Sequence, residues 1–198
     1  MTVACPDPGT SRTLVAGVGN IFLGDDGFGV EVVRRLDPST LPDRVDVADY
    51  GIRGLHLAFA LLDGRYDTVI IVDALPTDEP PGTLTVLRPD VGAASAVDAR
   101  VADAPGIDAP GIDAPGIDAP AIDDLVVDAH GMSPDVVLRL VRALGGEIGQ
   151  VIVVGCRPAV VAERMELSGA VCAAVDDAVG LIGAILRDPR LVGAGHGT

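Results

Sequence analysis

Three features of the sequence predict an α/β fold, a three-layer α/β/α sandwich around a mostly parallel sheet of about five strands. Apolar runs of five to seven residues, rich in Val and Ile, alternate with longer segments of helical period; strands covered on both faces by helices carry that pattern. Val, Leu, Ile and Phe supply 62 of the 198 residues, far above the roughly 20% below which a charged chain stays unfolded, so a chain of this length closes one core. A glycine-rich segment also follows the first apolar run, as at the strand-to-helix turn of many α/β proteins.

The elements follow in order. The first strand is Thr13–Gly19 and the first helix Gly27–Leu36; the second strand, Val45–Asp49, leads to a helix over Gly54–Leu62. The continuous run Thr68–Asp73 is the third strand and Thr83–Arg88 the fourth. Ser133-Pro134 offers an N-cap and a proline at the first helical position, opening a helix over Pro134–Leu144. Gln150–Gly155 is the fifth strand, and Ser168, behind apolar Leu167, caps a helix over Gly169–Leu186. That last helix is the most apolar long stretch, but Asp176 and Asp177 lie at its centre, where a bilayer penalises carboxylates by several kcal/mol. It is expected to be a packed helix.

Residues 1–198 are expected to form one domain with an insertion at about 90–128. From Asp103 the chain repeats Asp-Ala-Pro-Gly-Ile at 103, 108 and 113, then Asp-Ala-Pro-Ala-Ile at 118. Proline at every fifth position forbids a helix and interrupts a ladder, so the segment reads as exposed low-complexity chain; four such short repeats cannot bury a solenoid core of their own. Nine Asp against one Arg give it a charge of −8, over half of the chain's −15.

There are 14 arginines, no lysines and 29 acidic residues, a balance that excludes nucleic acid as a partner and disfavours an anionic membrane surface. Cys5, Cys156 and Cys172 are odd in number and share no CxxC spacing, which argues against a disulfide framework or thiolate zinc site and fits a reducing cytoplasm. The N-terminal residues have neither the basic flank nor the apolar run of a secretory signal.

The chemistry-bearing residues gather at strand ends. Gly17-x-Gly19-Asn20 runs into Gly24-Asp25-Asp26-Gly27; a phosphate loop would place Lys and then Ser or Thr where the two aspartates stand, and paired carboxylates repel a pyrophosphate. The turn has the shape of an anion site and the charge of a cation site, unless Asp25 and Asp26 only cap the following helix. Asp73 closes the third strand at the edge where open α/β sheets bind ligands, although an Asp there also serves loop amides; Asp49 closes the second strand with the same ambiguity. His56 stands mid-helix among apolar residues, His196 lies in a Gly-rich tail, and His130 directly precedes a capped helix. If Asp26, Asp73 and His130 converge, two carboxylates and an imidazole suit a borderline divalent ion such as Ni²⁺ or Zn²⁺. No Gly-x-Ser-x-Gly elbow or HExxH helix is present, and Cys156 follows a core strand without an identifiable histidine partner.

Six blocks then match a known family in order: Gly17-x-Gly19-Asn20 through Asp25-Asp26-Gly27-x-Gly29, Asp49-x-Gly51-x-x-Gly54-Leu55, Val69–Asp73-Ala74, Pro81-Gly82-Thr83, His130-Gly131-Met132-Ser133, and Val153-Val-Gly155-x-x-Pro158. The chain resembles the hydrogenase maturation proteases, endopeptidases that trim the C-terminal extension from the large subunit of nickel-iron hydrogenases. The resemblance implies that Asp26, Asp73 and His130 are metal ligands and leaves the attacking group open; Asp26 and Asp73 are the candidate catalytic residues, with Asp49, Asn20 and Asp25 as candidate supporting ones. It implies that the nickel arrives on the substrate, the large-subunit precursor, and that cutting follows successful nickel insertion. A cytoplasmic monomer is expected, with no nucleotide site. Some members carry Glu at position 26 and Thr at position 52, where this chain has Ile52, so no hydroxyl role carries over; the repeat insertion has no family counterpart. Two other readings compete: a module that stores or delivers nickel without cutting, and a nucleotide-binding domain supported only by the glycine-rich turn.

Overall fold

Strand β1 (Thr13–Val18) is buried along its whole length and β3 (Thr68–Ala74) at every residue but the last, which requires a layer of apolar side chains on each face. The computed structural model describes residues 12–89 and 133–188. With β2 (Val45–Gly51), β4 (Leu84–Leu87) and β5 (Gln150–Cys156) these strands make one sheet in the order β2-β1-β3-β5-β4. The first four run parallel, and β4 joins the edge antiparallel to β5.

Four α-helices stand among the described residues: α1 (Phe28–Arg35), α2 (Gly54–Leu62), α3 (Pro134–Ala143) and α4 (Gly169–Arg187). Alternation along the strands sorts the core into two. Val15, Ile70, Val72 and Ile152 face α1 and α4, meeting Phe28 and Val175; Leu14, Ala16, Val69 and Ile71 face α2 and α3, meeting Leu57 and Val137. Each buried side chain of this size contributes about 1.5–3 kcal/mol of transfer free energy. The three-layer α/β/α architecture is as the sequence predicts, and every element begins and ends within two residues of its predicted bounds.

The small differences have local causes. β2 continues past Asp49 to Gly51, because the register with β1 shifts between Gly17 and Val18 and the pairing resumes beyond it. Ser133 occupies the N-cap of α3 without a cap bond; its hydroxyl donates to Asp135 instead. By length and composition α4 could cross a membrane, yet Val171, Val175, Ala178 and Ile182 are fully buried in the first core, and Asp176 accepts a bond from Arg35 at 2.9 Å. Cys156 and Cys172 are free thiols. The repeat insertion, Cys5, His130 and His196 lie outside the described residues.

From β1 the chain passes through α1 to β2 on one side, then returns through α2 to β3 on the other side of β1. The connections diverge between β1 and β3, so a crevice opens above their carboxyl ends, the place where α/β sheets bind ligands.

Candidate active site at the carboxyl edge of the sheet

The loop leaving β1 enters this crevice because glycines let backbone approach backbone. Gly29, in the first turn of α1, lies so close to the carbonyls of Val72 and Val18 that a Cβ would overlap both. Gly19 has φ 120°, and a Cβ there would strike the carbonyl of Asp26. The loop thus folds back on itself, and Asn20 N–H donates to Asp26 Oδ2 at 2.6 Å. The Asn20 side chain turns away, its Oδ1 accepting from Phe22 N at 3.0 Å. Asn20 thus meets Asp26 through its main chain and not its side chain.

Asp73 is 8% exposed near the end of β3, its Oδ1 accepting from Ala74 N at 2.8 Å. Its alternation places it with Val69 and Ile71 on the face covered by α2 and α3. Burial pushes its carboxyl up to about 7, and the nearby Asp26 carboxylate adds to the rise against the lowering effect of the Ala74 bond. Burial with a like charge is costly for structure and common at functional sites, because it poises a carboxyl to exchange a proton near neutral pH.

Asp25 and Asp49 stand apart from this pair. Asp25 is fully buried, with Oδ2 accepting from Ala159 N and Val160 N at 2.8 Å and from Ser168 Oγ at 2.9 Å, and Oδ1 from Ser168 N at 2.6 Å. Burial alone would raise its pKa; the bonds from Ser168, Val160 and Ala159 together outweigh it and hold the carboxyl below its usual range. Asp25 is a tie between the first loop and the segment leading into α4. Neither it nor Asp26 caps α1, whose N-cap is Gly27 after a 3-10 turn. Asp49 pairs with Arg34 at 3.1 Å and its carbonyl accepts from Arg53. No group of three His, Cys, Asp or Glu side chains able to hold a metal ion occurs among the described residues, so Asp49 does not join Asp26 and Asp73 in one. His130 falls just before Ser133, which opens α3; because α3 precedes the parallel strand β5, its N-terminus lies at the carboxyl edge.

His56 is exposed on α2, and burial raises the Cys156 thiol to about 11, with the Asp25 charge adding to it, so Cys156 is not a thiolate near neutral pH. The residues that sequence reasoning missed are Ala159, Val160 and Ser168, which hold Asp25 across 134 to 143 positions; no local spacing encodes so distant a bond.

Fold and site define a three-layer α/β protein in which a buried carboxyl, Asp73, and the partly exposed Asp26 stand together at the topological switch point. Residues 30–97 match the family model described as hydrogenase maturation protease. The hydrogenase 2 maturation protease of Escherichia coli is 40% identical over 79 residues, 39% of this chain and 47% of that protein; the chain spans about half the length of the curated relatives it matches. Among solved structures, the hydrogenase 2 maturation peptidase of a Thaumarchaeota archaeon is 30% identical, with 89% of this chain and 99% of that one covered and a TM-score of 0.58. The hydrogenase maturating endopeptidase of E. coli is 26% identical, with 89% and 92% covered and a TM-score of 0.60. The chain belongs to the hydrogenase maturation protease family.

Proposed function

We propose that this protein is an endopeptidase that removes the C-terminal extension of a nickel-iron hydrogenase large-subunit precursor after nickel has been inserted. The observation that supports this most directly is the pairing of Asp26 and Asp73 at the switch-point crevice, in a chain whose relatives are named as maturation proteases. Two carboxylates are hard donors, and an imidazole joined to them, which His130 would supply, makes a donor set suited to Ni²⁺. The nickel belongs to the substrate in this reading, and Asp26, Asp73 and His130 grip it.

The chain's own residues then have separate tasks. The Asn20 amide orients Asp26, and the Ala74 amide orients Asp73. A cation arriving between the two carboxylates relieves the repulsion and burial that hold Asp73 near 7, so docking is favoured for a metal-loaded precursor over an empty one. With the peptide bond fixed beside this pair, one carboxylate takes a proton from the attacking water and the departing amine receives one. Positioning supplies the gate: an unloaded precursor is not held in register.

The test incubates the purified protein with large-subunit precursor, with and without inserted nickel, and weighs the product by mass spectrometry. Cleavage of the nickel-loaded precursor alone, lost in Asp73→Asn, is expected. Cleavage that ignores nickel or survives that substitution overturns the reading, and tight nickel binding by the free protein with an intact precursor would instead show a delivery module.

A further inference from the structure

One loop surface beside the crevice has no role in the chemistry above. Phe22, Val160, Val161 and Met165 are 60%, 37%, 55% and 70% exposed. They come from segments over 130 residues apart in sequence, yet the backbone joins them into one lip: Arg164 N–H donates to the Phe22 carbonyl at 3.0 Å, Gly24 N–H to the Arg164 carbonyl at 2.7 Å, and Asp25 N–H to the Val160 carbonyl at 3.0 Å. Bridges Leu23–Arg164 and Gly24–Val161 give the junction β-like pairing. Beneath it the Asp25 carboxylate binds the Ala159, Val160 and Ser168 amides, and Asp26 is the next residue. The apolar lip and the proposed catalytic loop are therefore one rigid unit.

Exposed apolar side chains held this firmly mark a contact surface rather than a frayed loop. Four of them present on the order of 400 Å² of apolar area, about half of what one partner buries in a stable protein interface, which suits a short segment better than a second copy of this chain. Phe22 is four positions from Asp26, so their Cα atoms lie within about 15 Å, a span that four or five extended residues cover. A polypeptide whose bond reaches Asp26 and Asp73 must therefore cross this lip or run away from it.

We infer that the lip formed by Phe22, Val160, Val161 and Met165 receives an extended, apolar segment of the protein being cut, about four or five residues from the scissile bond. The inference rests on the protease reading and specifies how its substrate is held. Because the lip is tied through Asp25 to Asp26, docking there sets the register of the chain over the carboxylate pair. These side chains are positioning residues, acting on binding.

The experiment measures binding separately from cutting, with nickel-loaded large-subunit precursor as the probe. With Asp26 and Asp73 left native and cutting blocked by a proline placed just after the scissile bond of the precursor, Val161→Asp with Met165→Asp is expected to weaken precursor binding at least tenfold by calorimetry, while Leu144→Asp, an exposed apolar position at the opposite end of the sheet, leaves it within twofold. Circular dichroism and melting temperature confirm that each variant is folded. Precursor binding unchanged by the double substitution overturns the inference even if the wild type cuts normally, leaving the protease reading intact. Binding that responds to the double substitution in a protein that never cuts upholds the lip and removes the protease reading. A wild-type dimer that the double substitution dissolves in analytical ultracentrifugation shows that a second copy occupies the lip, and overturns the inference.

Discussion

Asp25→Asn tests whether two adjacent aspartates have separate tasks. In the native protein four donors converge on Asp25: the Ala159 and Val160 amides and the Ser168 hydroxyl on Oδ2, and the Ser168 amide on Oδ1. An asparagine oxygen can serve the first two amides, but its NH₂ then faces Ser168 N–H, donor against donor. One buried amide left unpaired costs about 1–3 kcal/mol, and loss of charge assistance in the remaining bonds adds about 0.5–1 kcal/mol each, so the total is about 3 kcal/mol. For a chain of this size that lowers Tm by about 6–12 °C. The chain has no Trp, so unfolding in urea is followed by far-ultraviolet circular dichroism; the midpoint should fall with the slope unchanged. Because the Asp25 carboxyl is held below its usual range, its contribution is present above the unfolded value of about 3.9 and lost as pH falls below it, and the gap between wild type and variant should close there. A loss under about 1 kcal/mol at pH 7, or a gap that stays constant into acid, would refute the assignment of Asp25 as a structural tie.

Asp73→Asn should act in the opposite sense on stability. With its carboxyl raised to about 7, the native state binds the proton more tightly than the unfolded chain, so stability is lost as pH rises from about 4 to 7, by about 4 kcal/mol in full. The amide retains the Ala74 bond and carries no charge, so at pH 8 the variant should be more stable by about 2–4 kcal/mol while losing cleavage; a less stable variant contradicts the burial argument. Gly29→Ala drives a Cβ into the Val72 and Val18 carbonyls, and since backbone cannot yield there it should cost over about 3 kcal/mol or prevent folding, read as loss of the cooperative urea transition. Asp49→Asn breaks a half-exposed pair with Arg34 and should shift stability by less than about 1 kcal/mol and leave precursor cleavage within twofold.

Much of the fold was legible because its signals are local and periodic. Continuous Val and Ile runs declare strands covered on both faces, and Ser133-Pro134 and Ser168 announce helix starts within one residue of where α3 and α4 begin. Asp26 and Asp73 were legible as candidates for a similar reason, one in the glycine-rich segment between β1 and α1 and the other at the end of β3. The register irregularity that carries β2 beyond Asp49 was not legible, because strand pairing across a sheet depends on the neighbour's geometry.

What the sequence by itself determined is the layered α/β architecture, the order of its elements and the presence of acidic residues at the carboxyl edge. Tertiary structure alone decided which acid does what. Asp25 and Asp26 are neighbours with identical side chains, yet one turns into amides more than 130 residues away that stabilise its charge, while the other, held by Asn20, adds its charge to Asp73. Composition and spacing record that a carboxylate is present; its solvation, its donors and the charge beside it are set only when distant segments close around it, and those set its chemistry.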